Sequence, residues 1–187
     1  SLRWGRALSA ALDTSTDNIP ALRGRTLVLV DTSASMNNAL SAKSEMTRAE
    51  AAAVFGVAAA KRTGKVDLVG FASGAFEHRI RPGDALLTTV QQFVGRIGEV
   101  GHGTDMNPAL QKFYKGHDRI LVFSDEQVAR RVNWPAGASV YVWNLGGYAA
   151  SAVDTSQRGH VELGGLSDAT FKIIPLIEAG RDASWPF

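Results

Sequence analysis

The chain has 187 residues, 45% of them hydrophobic and 20% charged, with a formal charge of +2. That describes one globular domain long enough to bury a core, with too little net charge to imply a polyanionic partner unless its basic residues cluster. No run of about 18 apolar residues suggests a membrane span, and no basic-then-apolar opening suggests a signal peptide, so the expected location is the cytoplasm. Cysteine is absent, which excludes a disulfide frame and a thiolate metal site.

In chain order, residues 1–24 are expected to form a short helix and then a polar linker. Leu2, Trp4, Leu8, Ala11 and Leu12 can share a helical face there. A start at Ser1 rather than Met fits a piece excised from a longer protein, so this region is a candidate junction to an upstream domain, with the main domain spanning 25–187. Thr26 to Val30 is the first strand-like run. Thr47 to Arg62 is alanine-rich with helical spacing, and Val66 to Ala72 and Ala75 to Ile80 are two further strand runs. Asp84 to Ile97 carries Leu86, Leu87, Val90, Phe93, Val94 and Ile97 on one helical face, with Asp84 as the expected N-cap. Asn107 to Tyr114 reads as a short helix with Asn107 as cap and Pro108 at the first helical position. Arg119 to Ser124, Ser139 to Leu145 and His160 to Gly164 are the remaining strand runs. Asp168 to Gly180 closes the chain as a helix disturbed near Pro175. The basic clusters at Lys61 to Lys65 and Ala129 to Arg131 are expected at solvated loops and helix ends.

The central strand runs are nearly continuous in apolar residues, the pattern of strands covered on both faces. Strands alternating with helices predict a mostly parallel sheet with helices on both sides. One connection departs from this. Only Ser73 and Gly74 stand between Ala72 and Ala75, too few residues for a crossover, so those two strands form an antiparallel hairpin whose second member lies at a sheet edge.

Asp31, Ser33 and Ser35 follow the first strand directly, at alternate positions. In open parallel sheets ligands bind beyond the carboxyl ends of strands, near the point where strand order reverses. One carboxylate and two hydroxyls in one loop suit a hard cation with oxygen ligands. Two other segments offer further oxygens: Gly101 to Asp105, with Thr104, and Val122 to Gln127, with Asp125 leaving the end of another buried strand. A serine-rich turn with a lone buried aspartate would explain the first segment but not the other two.

Asp31-x-Ser33-x-Ser35, the Gly-Thr104-Asp loop and the strand-terminal Phe-Ser-Asp125 together resemble the metal-ion-dependent adhesion site of von Willebrand factor A (VWA) domains. That resemblance implies a three-layer, Rossmann-like α/β fold, with one antiparallel edge strand in an otherwise parallel sheet and the cation at its top. DTSASM, GTDMNPAL, ILVFSDEQ and the late segment from Val142 to Ile174 are similar, more narrowly, to the C-terminal VWA domain of the Ro autoantigen (TROVE) family. VWA domains commonly carry two glycines before the loop threonine; here His102 stands in place of the first, and it is expected to face solvent.

By that resemblance Ser33, Ser35 and Thr104 supply hydroxyl ligands, and Asp31 and Asp125 supply negative charge directly or through water. The implied ion is Mg²⁺, with Mn²⁺ or Ca²⁺ as alternatives. An Asp or Glu from a protein partner is the natural last ligand. His102, Asp105, Glu126 and Tyr148 fall at the implied ligand-binding periphery. Trp143 and Tyr141 read as core, and His78, His102, His117 and His160 as surface or capping residues, with His117-Asp118 in a turn.

No enzyme pattern competes. A haloacid dehalogenase-type phosphatase would need an acidic residue where Ser33 stands, and neither a GxSxG nor a GxxxxGK[ST] sequence occurs. The implied function is a non-catalytic recognition module, monomeric as an isolated domain, of a Ro-like RNA-binding protein. Small noncoding (Y-type) RNA would be bound mainly through an upstream ring of helical repeats, in the service of RNA quality control. The alternative is a general VWA adaptor or adhesion module that binds a partner carboxylate through Mg²⁺ without RNA.

Overall fold

The computed structural model describes residues 13–14, 16–125, 131–147 and 152–182. Six strands form one sheet in the order β3-β2-β1-β4-β5-β6. They are β1 (Leu22–Asp31), β2 (Thr63–Phe71), β3 (Ala75–Glu77), β4 (Arg119–Ser124), β5 (Ser139–Asn144) and β6 (His160–Gly164). All pairings are parallel except β2 with β3. The hairpin and its edge position are therefore as the two-residue turn requires. β1 begins at Leu22, ahead of the apolar run, and β3 stops at Glu77, well short of Ile80.

Among the described residues these helices cover the sheet: α1 (Arg48–Lys61), α2 (Leu86–Val94), α3 (Asn107–Phe113) and α4 (Asp168–Asp182). Alternation along each strand sorts the core into two layers. Val28, Val30, Leu121, Phe123, Tyr141 and Trp143 pack with side chains of α1, α2 and α4. Leu27, Leu29, Ile120, Val122, Val140 and Val142 pack on the opposite face with α3. Each face buries a full layer of branched and aromatic side chains, the dominant stabilising contribution in a three-layer fold. The Phe123 and Trp143 rings stack with centroids 4.7 Å apart, which places Trp143 and Tyr141 in the core as expected. α1 lies close to β1 because Gly56 faces Val30; a Cβ on Gly56 would fall 2.5 Å from the valine methyl.

Two helix starts differ from expectation for one physical reason: the caps come from elsewhere. α2 begins at Leu86 rather than Asp84, and its first amide donates to Asp13 Oδ1 (2.8 Å), a residue far upstream that also meets Lys61. In α3, Asn107 is the first helical residue and not the cap, and its amide donates to Asp105 Oδ1 (3.0 Å). α1 keeps a capping box, with Thr47 and Glu50 each bonding the other's backbone amide. Pro175 lies inside α4, which runs on to Asp182. Within the Lys61–Lys65 cluster Lys61 closes α1, as expected of a helix end, and Lys65 is exposed, but Thr63 is buried and residues 63–65 begin β2 instead of a loop.

The β1→α1→β2 unit runs outward to one side of β1, and the chain then returns to place β4 on the other side. Strand order therefore reverses between β1 and β4, and the crevice at their carboxyl ends is where such a sheet holds a ligand.

Candidate functional site

Asp31 is the last residue of β1 and is fully buried. Two donors hold its carboxylate. The Ser33 amide donates to Oδ1 (2.8 Å), closing a local turn, and the Ser124 hydroxyl of β4 donates to Oδ2 (2.5 Å). Thr32 donates both its amide and its hydroxyl to the Phe71 carbonyl at the end of β2 (2.8 and 2.9 Å), which fixes where the loop leaves the sheet. A 3₁₀ turn over Ala34–Asn37 follows, and it brings the Ser33 and Ser35 hydroxyls to 3.2 Å from each other.

The second loop is seated against the first. The Ala34 amide donates to the His102 carbonyl (3.0 Å). The Ser73 hydroxyl, in the β2–β3 turn, accepts from the Gly103 amide (3.0 Å), and the Asp105 amide donates to the Ala72 carbonyl (3.0 Å). Gly101 makes this close approach possible: its φ is +92°, and a Cβ there would lie 2.9 Å from Ser73 Oγ. Thr104 is thereby held, nearly buried, in the loop that closes over the strand ends. His102 is exposed, and Asp105 serves as the α3 cap.

The third contribution comes from β4. Asp125 follows the strand directly and is fully buried, and Arg48 Nη1 donates to its Oδ2 (3.2 Å). Glu126 and Tyr148, both expected at the periphery, lie outside the described residues. Burial pushes the Asp31 carboxyl up to about 6; the hydrogen bonds from Ser124 and Ser33 oppose that shift, and the negative charge of Asp125 adds to it.

Sequence reasoning missed Ser124 and Arg48. Ser124 has a sequence signal, since it stands in register beside Asp31 once β1 and β4 pair, and it immediately precedes Asp125. Arg48 has a subtler one: a cation at the first position of a helix opposes the helix dipole and needs a reason to be there.

The donor set fits a hard divalent cation. It consists of two buried carboxylates and hydroxyl oxygens, with neither sulfur nor imidazole. The raised Asp31 carboxyl is a buried group whose charged form lacks a full counter-charge, the condition a cation relieves. Among the described residues no three His, Cys, Asp or Glu side chains converge, and a site of two carboxylates with hydroxyls does not require it.

The reversed strand order, the hairpin at the edge and this set of strand-end oxygens define a class. Residues 26–127 match the von Willebrand factor type A domain, more than half of the chain, and the chain belongs to that family. The fold is similar to that of the Ro (RSR) protein of Deinococcus radiodurans, with a TM-score of 0.68 at 18% identity over 93% of this chain. This chain spans only 38% of the length of that Ro protein. It is also similar to an aerotolerance-related membrane protein from Bacteroides fragilis carrying multiple mutations to serine. There the TM-score is 0.50 and the identity 16%, over 83% of this chain and 99% of that one. No curated protein matches the sequence. Among the described residues no helix is long and apolar enough to cross a membrane.

Proposed function

We propose that this chain is a non-catalytic, cation-dependent recognition domain of a Ro-like RNA-binding protein. The observation that carries the reading is the meeting of three separate segments at the strand-order reversal. Asp31 with Ser33 and Ser35, the Thr104 loop and Asp125 reach one sheet end. Asp31, Ser33, Ser35, Thr104 and Asp125 would hold Mg²⁺, Mn²⁺ or Ca²⁺, some of them through water. The ion, when bound, supplies a Lewis-acidic position for a carboxylate oxygen. The chain's own residues position it: Ser124 and the Ser33 amide orient Asp31, and Ser73 seats the loop that bears Thr104.

The likeness to the Ro fold supports the narrower placement, in which RNA is held chiefly by parts of such a protein beyond this chain. The formal charge of only +2 favours little direct RNA contact here. The same observation keeps a second reading in view, a VWA module that binds a protein carboxylate without RNA.

The test is titration with Mn²⁺ followed by electron paramagnetic resonance of the free ion. One equivalent should be taken up by the parent and lost in Asp31→Ala and in Asp125→Ala. Anisotropy with a single-stranded RNA oligonucleotide should give micromolar or weaker binding. No Mn²⁺ uptake by the parent sinks the cation reading, and nanomolar RNA binding independent of metal sinks the division of labour.

A further inference from the structure

Arg48 is held by the same loop that carries Ser33 and Ser35. Its amide donates to the Asn38 carbonyl (3.0 Å), an antiparallel bridge joins Ala39 to Thr47, and the Leu40 amide donates to the Met46 carbonyl (2.9 Å). The loop therefore leaves the site and returns to it, and α1 begins where its first side chain reaches Asp125. That side chain is 15% exposed and Asp125 is 0% exposed, so the pair at 3.2 Å is poorly screened by solvent. The position is unfavourable for the helix alone, since the first turn of a helix disfavours a cation. The capping box supplies the helix start without it, through Thr47 and Glu50. What the position does provide is a positive charge beside the second of two buried carboxylates.

We infer that Arg48 is a positioning and charge-balancing residue that weakens the site's hold on a divalent cation. The inference rests on the cation reading above. Among the described residues, Asp31 and Asp125 bring two negative charges to the site when ionised, and Arg48 brings one positive charge. A divalent ion entering the site meets a fixed guanidinium that repels it, and an anionic ligand offsets the positive charge that the ion adds. The ion and an anionic ligand are therefore expected to strengthen each other's binding, equally in both directions.

The experiment measures the Kd of Mn²⁺ alone by calorimetry on the parent, Arg48→Gln and Arg48→Lys. Removing the charge should tighten Mn²⁺ binding about tenfold, which corresponds to about 1.4 kcal/mol. Arg48→Lys, which keeps the charge, should stay within about threefold of the parent. A role confined to holding Asp125 in place predicts the opposite, weaker binding in Arg48→Gln. Weaker or unchanged binding in Arg48→Gln, beside a parent that binds, overturns this inference and leaves the cation reading standing. Failure of all three proteins to bind overturns both. Arg48→Met keeps the apolar stem of the side chain and carries the same expectation if Arg48→Gln does not fold.

Discussion

The two ends of the sheet handle buried charge differently. At the amino ends of the strands Glu178 and Asp67 each meet a guanidinium. Arg119 Nε and Nη2 donate to the two Glu178 oxygens, both at 2.7 Å, and Nη1 donates to Thr26 Oγ1 (2.9 Å). Asp67 accepts from Arg25 (3.1 Å) and from His117 Nε2 (2.7 Å), while Asp118 accepts from the Arg25 amide (2.6 Å). At the carboxyl ends, Asp125 is fully buried and pairs with Arg48 Nη1 (3.2 Å), while the fully buried Asp31 is held by the Ser124 hydroxyl and the Ser33 amide. A fold that pairs its charges at one end and gathers two buried carboxylates at the other sets structural ion pairs apart from the proposed cation site.

The comparison breaks first where pairing is most complete. Arg119→Met should cost about 3 kcal/mol in denaturant unfolding. That is the lower end of the range for such pairs, because Glu178 keeps 25% of its side-chain surface exposed.

Asp31→Asn should act in the opposite sense. A carboxyl moved from its ordinary 3.8 to about 6 is harder to ionise in the folded state than in the unfolded one. The parent, in chelator, therefore loses stability as pH rises from about 4 to about 6, by up to about 3 kcal/mol. Asn has no such loss, so the variant should gain on the parent across that window in parallel unfolding curves. A parent as stable at pH 7 as at pH 4, relative to the variant, would remove the asymmetry.

His117 sharpens the other side. Its side chain is fully buried, and Nδ1 accepts from the Lys115 amide (3.2 Å), so Nε2 carries the proton given to Asp67. Burial lowers its pKa, Arg25 lowers it further, and Asp67 and Asp118 oppose the shift. Stability from this group is complete above the unfolded pKa of about 6.5 and is lost as pH falls through the lowered value. His117→Gln should flatten that acid-side slope, read from unfolding at pH 7 and pH 5, and should separately cost about 1 kcal/mol at pH 7 for the lost hydrogen bond to Asp67. Smallest of all, Asp13→Ala should cost about 1 kcal/mol by removing the cap on the α2 amide, seen as a lower denaturation midpoint with an unchanged slope.

Much of the fold was legible because doubly covered strands announce themselves. Arg119 to Ser124 and His160 to Gly164 are β4 and β6 to the residue. The helix starts were less legible because Asp13 and Asp105 do their capping from outside the periodic segments. The candidate site was legible in its Asp, Ser and Thr positions, each at a strand end or in a glycine-flanked loop. Arg48 and Ser124 were not, since their roles exist only once α1 and β4 are brought beside Asp125 and Asp31. The sequence places His117 in a turn, and local sequence cannot reveal that Asp67, fifty residues earlier, accepts a hydrogen bond from it.

The most direct measurement is thermal unfolding of the parent and Asp31→Asn over a Mg²⁺ titration. A site filled at about a hundred times its Kd adds about 2.7 kcal/mol, or roughly 5–10 °C for a domain of this size. The account predicts that rise in the parent and none in Asp31→Asn. An equal rise in both, or no rise in either at millimolar Mg²⁺, would contradict it.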